Sequence, residues 1–231
     1  MKYEHDLGYG TNYEKLVLKR YLCDMLARSD DIHTILEFPA NKLMGDTKEL
    51  FENFNGKQVF SLYDFSLRGE LPYDKFDLVW SFCEFENYKS SIGFLNECME
   101  LSKSKILIVT QNYFNPGIVM HRLWHALGRY KWDHGIIPKM SSITVKKCIK
   151  KNFKKKLKVL ETGALDLPWF VLDIYESWAV VKDKVFGKKN SGIPSEGEIE
   201  DKIKVSFIEK NAPYFVRFLL SHSHYILLEK K

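Results

Sequence analysis

The sequence has few cysteines, and none of them lies at metal-ligand spacing. Cys23, Cys83, Cys98 and Cys148 are far apart in the chain and form no CxxC motif. Such spacing indicates neither a disulfide framework nor a zinc site, and it is typical of free thiols in a reducing compartment. We therefore expect the cysteines to fill the core of a cytoplasmic protein.

Long apolar runs are also missing, and we expect no secretory leader. The longest apolar stretch, from Leu165 to Val181, contains two aspartates and a glutamate, so the sequence predicts no membrane span. The first residues, Met1 to His5, lack the basic and then apolar pattern of a signal peptide. With 231 residues, 45% of them hydrophobic, the chain is expected to form one domain over residues 1–231.

Positive charge is concentrated between Lys146 and Lys158, within a net charge of +5. A basic cluster can bind nucleic acid or an anionic surface. Here Val145, Ile149 and Phe153 recur at helical spacing, which makes the lysines the solvated face of an amphipathic helix. The cluster also lacks interleaved aromatic residues that would stack on bases. We therefore do not expect nucleic acid as a partner.

The segment Thr34 to Glu37 predicts a buried strand that ends on a carboxylate, followed by a turn. Asp46, with Glu49 three residues later, has the pattern of an N-cap and capping box for a helix that ends near Asn53. A parallel strand of this kind presents its carboxyl end to a ligand crevice. The alternative is an ordinary strand, turn and helix without a ligand.

Further strands and helices alternate along the chain, which predicts a parallel sheet with right-handed crossovers. The predicted strands are Lys57 to Asp64, Lys75 to Phe82, Lys105 to Thr110, Leu157 to Glu161 and a tail strand around Ser221 to Leu228. The predicted helices are Asn12 to Arg28, Tyr88 to Leu101, Ile118 to Arg129 and one opened by Ser142. Gly163 to Trp169 is expected to be a loop, and Phe186 to Glu198 a mobile excursion.

Three of these segments carry a family resemblance. They are Leu36-Glu37 at the end of the first strand, the block LPYDKFDLVW from Leu71 to Trp80, and Ile106 to Thr110 after a helix. In this order they resemble class I S-adenosylmethionine-dependent methyltransferases, over roughly Tyr13 to Gly163 plus the last strand. The resemblance implies an α/β, Rossmann-like three-layer sandwich, with a mostly parallel sheet, helices on both faces and an antiparallel last strand.

The resemblance also implies a cofactor and an activity. The expected cofactor is S-adenosylmethionine, and the expected reaction is methyl transfer to a small, aromatic or apolar acceptor. The alternative is an inactive relative that keeps the fold as a binding or scaffolding module. Residues implied at the cofactor are Glu37, Pro39, Ala40, Asn41, Gly45, Asp64, Phe65, Ser81 and Phe82, with Cys83 and Glu84 lining the crevice. Glu37 or Asp64 would accept the ribose hydroxyls, and Phe65 or Phe82 would pack on adenine.

The first loop departs from the family pattern E/D-x-G-x-G-x-G. Pro39, Asn41 and Leu43 stand at the glycine positions, and Gly45 is a displaced third glycine. Asparagine tolerates the left-handed region, but proline has no N–H to donate.

The middle of the chain is also shorter than in the family. Between Asp64 and Asp77 there is no room for the usual helix and strand. We therefore expect six strands rather than seven, and Asp64 corresponds either to the ribose-binding carboxylate or to the acidic residue near adenine.

His134, beside Asp133, is the expected general base, because histidine titrates near neutrality and a carboxylate can fix its tautomer. The alternative is an exposed loop histidine without a role. His121 and His125 are spaced i, i+4 but lack a third ligand, so no metal site is expected. Lid insertions around 112–140 and 164–212 would roof the acceptor pocket. Trp124, Tyr130, Trp132, Trp169 and Phe170 fall in these segments and are expected to roof the pocket. His222 and His224 share one face of the last strand, where packing or edge hydrogen bonds explain them.

Overall fold

The computed structural model describes residues 18–22, 24–40, 56–128, 135–165 and 211–231. The predicted helix from Asp46 to Asn53 and the predicted excursion from Phe186 to Glu198 lie outside these residues. The described strands are β1 (Thr34–Glu37), β2 (Gln58–Ser61), β3 (Phe76–Phe82), β4 (Ser102–Gln111), β5 (Leu157–Leu165) and β6 (Ser223–Lys230).

The strands form one sheet in the order β2-β1-β3-β4-β6-β5. Neighbours from β2 to β4 run parallel, whereas β6 is antiparallel to both β4 and β5. The predicted mostly parallel sheet with an antiparallel last strand is therefore confirmed, and within the described residues the sheet has the six strands expected from the short middle segment. The expected loop from Gly163 begins too early, because β5 continues to Leu165 and pairs with β6 throughout.

The described helices are α1 (Ser91–Leu101), α2 (Pro116–Gly128), α3 (Ser142–Asn152) and α4 (Tyr214–Leu220), with helical backbone also at 18–22 and 24–27. α1 starts later than predicted because Ser90 caps it, its hydroxyl accepting from Gly93 N at 3.1 Å. α4 was not predicted, since the tail alternates apolar and polar residues in a way that suggested only a strand. No helix in the described part of the chain is long and apolar enough to cross a membrane.

Alternate strand residues point to opposite faces of the sheet and build two hydrophobic clusters. On one face, Ile35 and Leu107 pack with Leu18 and Leu22 of the N-terminal helical segment. On the other face, Leu36 and neighbouring strand residues pack with apolar residues of α1 and α3. Helices therefore cover both faces, which confirms the three-layer arrangement. Of the described cysteines, Cys83, Cys98 and Cys148 are all free, and the first two are buried.

The lysine-rich helix behaves as its spacing predicted. Val145, Ile149 and Phe153 are buried against the sheet. Lys150 and Lys151 lie on the exposed side. The lysines of this helix are therefore the solvated face of an amphipathic element.

Asp77, in the FDLV block, ties the amino ends of three strands together. Its Oδ2 accepts hydrogen bonds from His33 N at 3.0 Å, Thr34 N at 2.8 Å and Thr34 Oγ1 at 2.8 Å. Its Oδ1 pairs with Lys103 of β4 at 3.0 Å. Although burial opposes ionisation, the hydrogen bonds from Thr34, together with Lys103 and His33, hold the pKa of Asp77 at about 2.

We expect Asp77→Ala to lower the free energy of unfolding by about 1–3 kcal/mol, because two backbone N–H groups lose their acceptor. The matched control is Asp74→Ala on the exposed turn, which should stay within about 0.5 kcal/mol. Chemical denaturation measures both. Because its pKa is depressed, the stabilisation by Asp77 should be lost as pH falls from the ordinary value of 3.8 towards about 2. Equal stabilities of the two variants would contradict the role of this carboxylate.

Candidate functional site

The candidate site lies at the carboxyl ends of β1 and β3. From β1 the chain moves outward to β2 and then returns to the other side of β1 to form β3. Strand order therefore reverses between β1 and β3, and open parallel sheets bind ligands in the crevice at such a reversal. The chain segments that meet there are those that follow β1, β2 and β3.

Glu37 is the last residue of β1 and lies opposite Trp80 of β3. Its side chain is only 1% exposed, and Ser61 Oγ at the end of β2 donates a hydrogen bond to its Oε2 at 3.4 Å. A buried carboxylate is costly unless it is hydrogen-bonded or paired. Glu37 is therefore a buried, hydrogen-bonded carboxylate that lies directly beside the point where strand order reverses.

The first loop, Phe38 to Ala40, uses its backbone groups within the protein. Phe38 N donates to Trp80 O at 2.8 Å and Ala40 N donates to Leu62 O at 2.9 Å, whereas Pro39 has no N–H. All three residues are buried. In this segment the chain offers no backbone N–H to a ligand. Pro39 and Ala40 could therefore contact a cofactor only by van der Waals packing, not by donating hydrogen bonds.

Asp64 and Phe65 follow β2. Asp64 is exposed and caps the short 3-10 helix Phe65–Glu70, accepting from Ser66 N at 2.8 Å and Ser66 Oγ at 2.7 Å. The hydrogen bond from Ser66 N lowers the pKa of Asp64. The Phe65 ring is half-buried, with the guanidinium of Arg68 4.6 Å from its centre and the Phe38 ring 6.0 Å away. Both residues border the crevice, and one Asp64 oxygen is used by the turn.

Ser81 and Phe82 end β3 on opposite faces of the sheet. Phe82 is 4% exposed and packs in the cluster beneath the N-terminal helical segment. Ser81 is 1% exposed, and its Oγ has no hydrogen-bond partner among the described residues. An orphaned buried hydroxyl is unusual in a folded protein and indicates a missing polar partner. Ser81 is therefore a stronger candidate for ligand contact than Phe82.

Glu86, in the turn after β3, is a candidate that sequence reasoning missed. The residue is fully buried, and its Oε1 accepts from Gln111 N, the last residue of β4, at 3.0 Å. Its Oε2 has no hydrogen-bond partner among the described residues. Burial raises the pKa of Glu86 to about 8, although the Gln111 N–H and the charge of His222 oppose the rise. A carboxyl group that titrates near neutrality is suited to proton transfer.

The backbone around Glu86 is unusually constrained. Cys83, the first residue after β3, has a φ of 52°, in the left-handed region that non-glycine residues rarely adopt. Gly135 packs directly over the turn, since an added Cβ would lie 2.6 Å from Asn87 Oδ1 and 3.0 Å from Glu86 Cγ. Ile136 N donates to Glu86 O at 3.0 Å. Burial also raises the pKa of Glu84 beside it. Only a glycine at position 135 allows the segment that begins with Gly135 and Ile136 to pack over Glu86.

Two buried asparagines anchor the loop after β4. Asn112 Nδ2 donates to Phe218 O at 2.8 Å and to Ser221 O at 2.7 Å, and Asn115 Nδ2 donates to Leu220 O at 3.0 Å. These bonds hold the end of α4 against the carboxyl edge of the sheet. No sequence pattern had pointed to these asparagines, which act here as supports for the edge.

His224 is explained by packing, as expected. Its ring stacks on Phe218 with centroids 4.5 Å apart, and its Nε2 lies 2.9 Å from Phe218 O. Ser142 Oγ lies 3.3 Å from Nδ1, an arrangement that fits a neutral ring with the proton on Nε2. Burial lowers the pKa of His224 to about 4. The residue is a hydrogen-bonded core histidine.

The remaining predicted site residues lie outside the described part of the chain. They are Asn41, Gly45, Asp133, His134 and the roof residues Tyr130, Trp132, Trp169 and Phe170. Trp124, His121 and His125 belong to α2, but the structure does not describe their side chains. For all of these residues the roles given above stay predictions.

The comparisons with known proteins come from structure. No protein-family model and no curated protein matches the sequence. Magnesium protoporphyrin IX methyltransferase from Synechocystis, solved with bound S-adenosylhomocysteine, aligns over 99% of this chain and 90% of its own, with a TM-score of 0.50 and 7% identity. A protein from Galdieria sulphuraria, described as a sarcosine dimethylglycine methyltransferase, aligns over 93% and 85%, with a TM-score of 0.51 and 13% identity. The chain therefore has the fold of S-adenosylmethionine-dependent methyltransferases.

The buried Glu86 gives a stability test that needs no ligand. Its pKa lies above the ordinary value of 4.5, so the folded state favours the protonated acid, and the stability that it contributes is lost as pH rises from 4.5 to about 8. Glu86→Gln keeps an acceptor for Gln111 N and cannot ionise. We expect the difference in unfolding free energy between variant and parent to grow in favour of the variant as pH rises from about 5 to about 9, by about 1–3 kcal/mol in total. A difference in unfolding free energy that stays constant over this range would contradict the buried, perturbed acid.

Proposed function

We propose that this chain is an S-adenosylmethionine-dependent methyltransferase that acts on a small acceptor with aromatic or apolar surface. The observation that carries the proposal is the buried Glu37 carboxylate at the end of β1, beside the reversal of strand order. Its support is the methyltransferase fold, in which one of the two aligned neighbours was solved with S-adenosylhomocysteine.

The residues at the crevice fit this cofactor. Glu37 would accept hydrogen bonds from ribose hydroxyls, and the orphaned Ser81 Oγ, 1% exposed, would gain a polar partner. The predicted contacts of Asn41, Gly45, Asp64, Phe65 and Phe82 belong to the same proposal. S-adenosylmethionine supplies a methyl group activated by its sulfonium, so the tasks left to the chain are positioning, exclusion of water and handling of a proton.

Glu86 is the group that we assign to the proton. An acceptor N–H or O–H must lose its proton during methyl transfer, and the unpartnered Glu86 Oε2 is a buried acceptor near the ends of β3 and β4. A pKa of about 8 places it close to the optimum for a general base at neutral pH. His134, with Asp133, is the second candidate for this role.

A cavity beside the end of β4 is the proposed acceptor surface. It has a volume of ≈330 Å³ and includes Tyr113, Phe114, Ile137 and Pro138 in its lining. The Tyr113 side chain is 48% exposed and the Phe114 side chain is 37% exposed, so both rings are open to a ligand. Aromatic faces of this kind bind flat or apolar molecules.

Titration calorimetry with S-adenosylmethionine and S-adenosylhomocysteine tests the cofactor directly. We expect both to bind to the purified chain in a one-to-one ratio. Binding of neither at millimolar concentration would refute the cofactor assignment.

Glu37→Gln keeps the size of the side chain and removes its charge. Loss of charge-assisted hydrogen bonds should weaken S-adenosylmethionine binding by about 1.5–3 kcal/mol, roughly ten- to a hundredfold. The matched control is Asp24→Asn, the same chemical change at an exposed position on the N-terminal helical segment. Because Glu37 is buried rather than facing a wet crevice, thermal unfolding must be measured on the same samples. Unchanged affinity in a folded Glu37→Gln protein would remove this residue from the site.

Glu86→Gln should lower kcat at least about a hundredfold if the carboxylate accepts the proton, in line with the usual contribution of a general base. In the parent, kcat should rise with pH through about 8, and this rise should be absent from the variant. Because Glu86→Gln is expected to be more stable than the parent, a lower kcat in this variant could not be attributed to unfolding. A variant with the parent pH profile would shift the role to His134.

The second candidate function is an inactive binding or scaffolding module with the same fold. It is favoured by the first loop, in which both N–H groups of Phe38 and Ala40 are already bonded within the sheet and Pro39 has none. A scaffold should purify without an adenine compound and should bind neither S-adenosylmethionine nor S-adenosylhomocysteine. Ultraviolet absorption of the denatured, deproteinised sample separates the two functions.

A further inference from the structure

A cleft at the amino edge of the sheet gathers positive charge that the sequence keeps apart. Its volume is ≈400 Å³, and five of the side chains that line it are lysines. They come from three segments: Lys75 before β3, Lys155 and Lys156 between α3 and β5, and Lys230 with Lys231 at the end of β6. With ten residues in β4, this edge lies roughly 30 Å from the candidate crevice.

Two of the lysines, Lys230 and Lys231, are held in place by hydrogen bonds to backbone carbonyl groups. Lys230 Nζ donates to Met99 O at 2.9 Å and to Ser102 O at 2.7 Å, at the carboxyl end of α1. Lys231 Nζ donates to Lys154 O at 2.8 Å, and Lys231 N donates to Lys156 O at 2.9 Å. These bonds fix the last residues of β6 against the turn that precedes β5.

The other three lysines, Lys75, Lys155 and Lys156, are available to a ligand. None of their ammonium groups has an ion pair or hydrogen bond with the described residues. The carboxylate of Glu100 also lines the cleft, but it pairs with Arg68 at 2.8 Å. In contrast, several lysines elsewhere do face a carboxylate: Lys103 pairs with Asp77, Lys105 with Asp31, and Lys158 with Glu229.

Among the described residues, no carboxylate therefore pairs with the ammonium groups of Lys75, Lys155 and Lys156. Burial and the neighbouring positive charge of Lys75 both lower the pKa of Lys230, as expected for two ammonium groups of like charge at one cleft. An anion placed between them would relieve this repulsion and would raise the stability of the fold.

We propose that this cleft binds a small anion that carries two or more linked phosphate groups. Three free ammonium groups around one compact cleft match the several negative charges of an oligophosphate, and lysine binds phosphate as a point charge. The lining contains no aromatic ring on which a base would stack, so the phosphates themselves are the recognised groups. The site is independent of the crevice at the opposite edge.

Calorimetry at constant ionic strength, with tripolyphosphate, pyrophosphate and inorganic phosphate, tests the proposal. We expect affinity to fall in that order and to weaken as salt is raised, because the contacts are electrostatic. The triple variant Lys75→Ala, Lys155→Ala, Lys156→Ala should lose at least about tenfold in tripolyphosphate affinity. Its unfolding temperature should no longer rise when tripolyphosphate is added.

The matched control removes the same charge far from the cleft, through Lys19→Ala, Arg20→Ala and Lys89→Ala. It should keep tripolyphosphate affinity within about twofold, and S-adenosylmethionine titrations should be unaffected in both triple variants. Absence of tripolyphosphate binding, or an equal loss in the control, would overturn the proposal. A short RNA oligonucleotide that binds more tightly than tripolyphosphate, and depends on the same lysines, would also overturn it by making the cleft part of a nucleic-acid surface.

Discussion

The register of β1 against β3 is the constraint on which the site depends. At the amino end, Asp77 of β3 accepts hydrogen bonds from Thr34 N and Thr34 Oγ1, which fixes the two strands relative to one another. The register then runs without a shift until Glu37 lies opposite Trp80. Because side chains alternate along a strand, a slip by one residue would turn Glu37 to the other face of the sheet. The FDLV block is the part of the sequence that most resembles the methyltransferase family. Its Asp77 holds β1 and β3 in register at their amino ends, away from the candidate site at their carboxyl ends.

The carboxyl edge that this register builds carries several features that lower the stability of the fold. Glu37 and Glu86 are buried carboxyl groups, Ser81 has a buried hydroxyl without a described partner, and Cys83 holds a strained φ. Each feature costs stability, and such features cluster where a protein binds or reacts. At the amino edge the carboxylates of Asp77 and Asp31 are instead paired with lysines, although the lysines of the cleft there have no carboxylate partner among the described residues. The buried carboxyl groups, the unpartnered hydroxyl and the strained φ therefore lie at the same edge that strand order indicates.

Sequence reasoning located the strands and their direction because apolar runs and helical spacing are local signals. It also anticipated the missing βα unit, since chain length between Asp64 and Asp77 limits what can fold there. It missed Glu86 because an isolated acidic residue in a turn looks like a surface group until Gly135 and Gln111 enclose it. It likewise treated the lysine region as one solvated helix. The approach of Lys75 to Lys230 depends on sheet topology and has no local pattern.

Because the helix and strand that the resembled family has between Asp64 and Asp77 are absent there, β2 is an edge strand of the described sheet. Local features protect this edge from pairing with other molecules. β2 has only four residues and pairs only with β1 in the described sheet, and a short edge strand resists pairing with other molecules. Phe60, Tyr73 and Phe76 pack together with ring centroids 5.5–5.9 Å apart, and Tyr73 is T-shaped to both phenylalanines. Tyr73 also donates to Gln58 Oε1 at 2.7 Å. The 3-10 helix capped by Asp64 fills the remaining connection. On this side of the crevice a six-residue 3-10 helix therefore stands where the resembled family has a helix and a strand, and Asp64 Oδ1 caps its first turn.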